Sequence, residues 1–154
     1  MKSPVTGKEM TLVHEKTMYA FRGESYECEQ SLWRCEDSGE TYSTDEMDME
    51  AFEQVSRQYR AKYGLPSKDE IIALRERYAL SAAKMSLILG IGVNQWRLYE
   101  AGEVPSVSNG RLIRAIMDAR VFLDLVNSAK HQLGPREFGK ISARLRLLLS
   151  EDER

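Results

Sequence analysis

Asn94, Gln95, Arg97 and Leu98 stand within five residues of one another, and their side chains suit the edges of DNA bases. An asparagine offers one donor and one acceptor at the spacing of an adenine edge in the major groove. Gln95 can read a base in the same way or hold a phosphate. Arg97 can reach guanine or the sugar-phosphate backbone, and Leu98 can pack on a thymine methyl. Ser81 and Lys84 lie at the start of the preceding helical segment, where free backbone amides and the helix dipole attract phosphate. Asn109 and Arg111 repeat that arrangement at a later helix start. Two other roles stay open: Asn94 can serve as a helix cap, and Arg97 as a solvated surface arginine. Trp96 and Tyr99 fit a core better than a base-stacking surface.

These residues need two short helices and a tight turn to position them. Leu80–Gly102 supplies that pattern. Ser81 is a good N-cap for a helix ending near Leu89, and Gly90 stops it. A second helix runs from about Val93 to Ala101 and stops at Gly102. Ala83, Leu87, Ile91, Trp96 and Tyr99 have the spacing to lock the two together, as a helix-turn-helix requires. Upstream, Ser67-Lys68-Asp69-Glu70 fits a capping box, followed by Ile71, Leu74, Arg75 and Tyr78 along one face. After Pro105, Ser108 is positioned to cap a long helix carrying Leu112, Ile116, Phe122 and Val126. Gly134-Pro135 breaks the chain, and a last helix shows Phe138, Ile141, Leu145, Leu148 and Leu149 as an apolar stripe. The long helix and this stripe are the candidate dimer surfaces, unless both merely complete the core of one chain.

The first third differs in character. Residues 9–43 carry β-formers in Met10–Val13, Thr17–Phe21 and Ser25–Trp33, with Arg22-Gly23-Glu24 as a turn. Met47, Phe52, Val55 and Tyr59 then recur about one turn apart and predict a helix over 45–63. It ends at Gly64-Leu65-Pro66, the clearest domain boundary. Charge divides at the same place: residues 1–64 hold 8 basic and 13 acidic side chains, and residues 65–150 hold 13 basic and 8 acidic ones. Two modules with different partners follow from that split. The acidic one reads most simply as a solvated face, with docking of a basic protein as the sharper alternative. Of 154 residues 42% are apolar and 30% charged, which fits a folded soluble protein. No run is long enough to span a membrane. With only Cys28 and Cys35, a disulfide scaffold is excluded and a cytoplasmic location is expected. Phosphate-binding loops, dinucleotide fingerprints, zinc-protease motifs and glycine-flanked serine nucleophiles are all absent, so no enzyme is indicated. No cofactor is expected.

With Leu89-Gly90-Ile91, Tyr99-Glu100-Ala101-Gly102 and Pro105, the second part resembles the lambda-repressor-like (XRE) helix-turn-helix family. Its string Gly92–Gly102 is most similar to that of the MqsA/YgiT-type antitoxins. The resemblance covers roughly residues 65–120. Such antitoxins begin with a Cys-Pro-x-Cys-Gly knuckle and place a second Cys-x-x-Cys-Gly some thirty residues on, holding one structural zinc. Here the matching stretches are Ser3-Pro4-Val5-Thr6-Gly7 and Cys35-Glu36-Asp37-Ser38-Gly39. The positions that match the four ligands are Ser3, Thr6, Cys35 and Ser38, and hydroxyls are poor zinc ligands at neutral pH. Cys28 lies outside both knuckles, and His14 has no partner at a recognised spacing. Leu98 stands where the family usually has a base-reading arginine, so the resemblance implies a different operator.

The resemblance therefore implies an α+β chain. Residues 1–64 would form a small antiparallel zinc-ribbon-like domain that has lost its metal, with a linking helix. Residues 65–154 would form an all-α lambda-repressor-like domain for DNA binding and dimerisation. It further implies a homodimeric, sequence-specific repressor of double-stranded DNA that autoregulates its operon. The alternative is chiefly a protein-interaction module that neutralises a partner toxin through residues 1–64.

Overall fold

The computed structural model describes residues 1–153, and the chain divides into two compact units, Met1–Ala61 and Lys62–Arg154. The class is mixed: a three-stranded antiparallel sheet followed by seven α-helices.

In the first unit, β1 (Thr11–Phe21) and β2 (Glu24–Arg34) form one long hairpin, and β3 (Thr41–Tyr42) adds a short third strand beside β2. The turn is the two-residue loop Arg22-Gly23, both at positive φ (51° and 79°), whose twist matches the strands it joins. The expected strands at 10–13 and 17–21 are one continuous strand. His14, Glu15 and Lys16 bridge them because they pair in register with Ser31, Gln30 and Glu29, and this strand is exposed on most of its length. Polar side chains there remain in water and cost nothing.

The helix α1 (Asp45–Tyr63) closes the unit. Ala51, Val55 and Tyr59 are buried, and Phe52 and Tyr59 meet Phe21 edge-on at 5.7 and 5.1 Å. Tyr26 stacks edgewise on Tyr59 at 6.3 Å. The apolar cluster is thus built between the hairpin and α1, and Trp33 and Tyr42 are only half-buried. Gln54 does unusual work here. Its amide accepts from the Glu29 N–H and donates to the Glu29 carbonyl, both at 2.8 Å, as a neighbouring strand would. Gln58 donates to the Glu27 carbonyl at 2.8 Å. Side chains of α1 thereby occupy the β2 edge that β3 is too short to cover.

The second unit is helical: α2 (Lys68–Tyr78), α3 (Ala82–Leu89), α4 (Gln95–Glu100), α5 (Val107–Ala115), α6 (Ala119–Ser128), a 3₁₀ turn (Lys130–Gln132) and α7 (Pro135–Asp152). The capping box at α2 is formed on both sides: the Ser67 hydroxyl accepts from the Glu70 N–H, and the Glu70 carboxylate from the Ser67 N–H, each at 3.1 Å. Ile71, Tyr78, Met85, Trp96, Ile113, Phe122 and Leu145 form the heart of one core, with Tyr78 and Phe122 stacked at 4.4 Å. Gly110 is buried in α5 because a Cβ there would lie 2.6 Å from Leu65. No helix among the described residues is long and apolar enough to cross a membrane.

Three expectations are corrected. The long helix after Pro105 is two helices. It starts two residues earlier than a Ser108 cap allows, because Ser106 accepts from the Asn109 N–H at 3.1 Å. It breaks after Ile116, where Asp118 caps α6 through the Arg120 N–H at 2.9 Å. The helix expected from Val93 starts at Gln95, which leaves Val93 and Asn94 in the turn. The proposed dimer surfaces are largely consumed within the chain: Phe122, Val126, Ile141, Leu145 and Leu148 are all buried in the core.

Candidate nucleic-acid interface

The candidate surface depends on how α3 delivers the chain into α4. The Ser81 hydroxyl caps α3 by accepting from the Lys84 N–H at 3.1 Å, and Gly90 ends it in the left-handed region (φ 71°). That conformation strains any residue with a Cβ. The Gly90 and Ile91 amides then close on the Leu87 and Ser86 carbonyls, and the chain turns sharply into Gly92 and Val93.

Helix α4 is six residues long, too short to be stable alone, so its orientation must come from contacts outside it. Three are evident. Trp96 and Tyr99 are almost completely buried. The hydroxyl of Ser86, itself fully buried, accepts from the Trp96 N–H at 3.0 Å. Arg75 of α2 forms a bidentate pair with Glu100, at 2.7 and 2.9 Å, and its third nitrogen donates to the Leu80 carbonyl at 3.3 Å. That carboxylate raises the Arg75 pKa above its ordinary value. Ala83, expected in the lock, is exposed; Met85, Ser86 and Ile88 form the buried face of α3 instead.

The Ser86 bond takes one of the two amides that an N-cap at Asn94 could satisfy. An N-cap side chain normally satisfies the second or third amide of its helix. Here the Trp96 amide, second in α4, is already taken by Ser86. Asn94 occupies the cap position, is exposed and makes no capping bond. Residues 94, 97 and 98 lie on one helix face, and Asn94, Arg97 and Leu98 are all exposed there, Leu98 by 40%. The Arg97 side chain has no hydrogen bond or ion pair among the described residues. Val93, 74% exposed in the turn, adds an apolar contact that sequence reasoning missed.

The other candidates divide. The Gln95 amide donates to Glu103 at 3.0 Å, which ties it to the loop after α4. The Asn109 amide donates to the Tyr99 hydroxyl at 2.9 Å, so it braces α4 from α5 and does not project freely. The Lys84 ammonium pairs with Glu137 of α7 at 2.8 Å and is only 25% exposed. Its place at the start of α3 is as expected, but its charge is directed at α7. Arg111 is exposed on α5 and has no ion pair among the described residues. Ser86 and the Arg75–Glu100 pair were also missed. The only signal for Ser86 was a hydroxyl set among the apolar residues Met85, Leu87 and Ile88.

The two turns at Ser3–Gly7 and Cys35–Gly39 are held by local hydrogen bonds. The Ser3 hydroxyl accepts from the Val5 and Thr6 amides at 3.1 and 3.3 Å, as a thiolate would, and Gly7 and Gly39 donate to the Ser3 and Cys35 carbonyls. Cys35 is buried, and the hydroxyl of Ser3 foremost, with Ser38 and then Thr6, holds its thiol down to about 6. One thiol and three hydroxyls do not fit a structural zinc, and the Ser3 oxygen already accepts two bonds.

No protein-family model matches the chain, and comparison with curated proteins gives no match.

Two outcomes follow. A chelator leaves amide protection in β1 and β2 unchanged, and elemental analysis finds no stoichiometric zinc; loss of protection would show that a metal holds the hairpin. Ser86→Ala leaves a buried amide without a partner and lowers the unfolding free energy by about 1–3 kcal/mol in urea titrations. An unchanged midpoint would mean the bond contributes nothing.

Proposed function

We propose that the chain is a sequence-specific double-stranded-DNA-binding regulator, with α3 and α4 acting as a helix-turn-helix and α4 lying in the major groove. The observation that carries this reading is the outward face of α4. Asn94, Arg97 and Leu98 are solvent-facing on a helix fixed from three sides, and the Asn94 side chain makes no capping bond. Preorganised donors and acceptors of this kind discriminate between bases, whereas scattered positive charge gives only affinity. The basic balance of residues 65–150 supplies the latter. Leu98 limits the adjacent base contact to an apolar one. No nucleophile–base pair or metal cluster is evident among the described residues that would favour catalysis.

On this reading residues 62–154 act as a lambda-repressor-like domain, and the protein works in the cytoplasm as a homodimeric repressor of antitoxin type. One helix-turn-helix contacts few bases, and paired copies on half-sites about one helical turn apart restore specificity. The first unit is proposed as a metal-free relative of a zinc ribbon. A second role for it, docking a basic partner such as a toxin, is favoured by its 13 acidic side chains and by the exposed, unpaired outer edge of β1.

Selection of bound fragments from genomic DNA by the full-length protein tests the reading and should return a palindromic site occupied by two chains. On that site Asn94→Ala lowers the preference over random DNA by about 1–3 kcal/mol and leaves random-sequence binding nearly unchanged. Arg111→Ala weakens both and reduces the salt slope by about 1. Failure to enrich any sequence, or equal loss on both DNAs for Asn94→Ala, would refute base reading by this face.

A further inference from the structure

A cavity of about 660 Å³ opens between the C-terminal end of α2 and the first turns of α7, within the second unit and lined by none of the residues proposed to read bases. Tyr78, Leu80 and Ile141 give it an apolar floor, and Arg136, Lys140 and Arg144 line it from α7. Its size falls within the range of small-molecule sites, which are largely apolar with a few placed polar groups.

The three cations recur every four residues, so they lie along one side of α7. Like charges at that spacing repel and weaken a helix unless something offsets them. For Arg144 the offset is visible: its guanidinium donates twice to the Arg77 carbonyl, at 3.2 and 3.0 Å, at the negative end of the α2 dipole. Glu137 also lines the cavity, and its carboxylate is paired with Lys84 at 2.8 Å, so its charge is partly neutralised there. Arg136 and Lys140 are exposed and have no hydrogen bond or ion pair among the described residues. The start of α7 adds to the same field. Gly134 provides no side-chain cap and Pro135 has no N–H, so the positive end of an 18-residue helix opens on the cavity without a capping side chain. Tyr78 contributes no charge, since its hydroxyl donates to the Ile116 carbonyl and burial pushes its pKa up to about 12.

We propose that this cavity binds a small organic anion with an apolar body, its carboxylate or phosphate held by Arg136 and Lys140 and its body lying on Tyr78, Leu80 and Ile141. An apolar floor under a cationic rim matches such a ligand and gives a DNA backbone, which is polar throughout, nothing to bury. The inference does not depend on the DNA-binding reading.

Titration of the full-length protein with octanoate, octyl phosphate and octanol, followed by calorimetry and by amide chemical shifts, tests it. At least one of the two anions binds saturably at one site per chain, with shifts confined to residues 78–80 and 134–144. Which anion binds more tightly assigns the head group. Octanol binds at least about tenfold more weakly, as loss of a charge-assisted contact implies. Arg136→Gln with Lys140→Gln reduces anion affinity by at least about tenfold, and because both residues are exposed the melting temperature holds. Octanol binding as well as the anions, an unaffected double variant, or shifts spread over the whole chain would overturn the proposal. So would shifts of the same residues by random duplex DNA without binding of either anion, which would make this a backbone-contact surface.

Discussion

The hydrogen bond from the Trp96 amide to the buried Ser86 hydroxyl helps to orient α4, the shortest α-helix among the described residues. Six residues cannot hold a helix in water, so α4 exists because α2, α3 and α5 grip it. Trp96 and Tyr99 supply the buried area, and the Arg75–Glu100 pair fixes rotation about the axis. The serine adds a further constraint. It satisfies from another helix one of the amides that a cap residue would ordinarily take, and the Asn94 side chain makes no capping bond.

The same economy distinguishes the charges of the second unit. Arg75, Lys84 and Arg114 each pair with a carboxylate contributed by a different helix, and Arg144 with a helix-end carbonyl, so these cations tie the bundle together. Arg97, Arg111, Arg136 and Lys140 have no such pairing among the described residues. A basic total says little by itself. Which positive charges are already committed narrows where an anionic partner can be met; Lys68 on α2 and Arg146 late in α7 are uncommitted among the described residues as well.

Much of this was legible in the sequence, and the reasons for success and failure are local. The capping box at Ser67, the Ser81 cap and the Gly90 stop were readable because each acts within four residues of itself. The break between α5 and α6 was not. Ile116, Phe122 and Val126 keep helical spacing across it, and only the Asp118 side chain turning onto the Arg120 amide marks a new start. The apolar stripe of α7 left two readings open for a related reason: periodicity shows that a face is apolar without showing what covers it. Lys84 and Asn109 were placed correctly along the chain, yet the pairing of one with Glu137 and of the other with Tyr99 joins residues 53 and 10 positions apart. Ser86 was invisible because a serine inside a helix has no sequence signature for its distant partner.

In the first unit the Ser3 hydroxyl accepts from the Val5 and Thr6 amides, and the aromatic contacts of Phe21, Tyr26, Phe52 and Tyr59 bind the hairpin to α1. For the second unit, the most direct measurement is an amide-shift titration of isotope-labelled full-length protein with the DNA fragment it selects. The account predicts that the Asn94 side-chain amide and the backbone of residues 93–98 shift first and furthest, while the Trp96 amide keeps the signature of its bond to Ser86. Shifts centred elsewhere, with the Asn94 side chain unmoved, would contradict it.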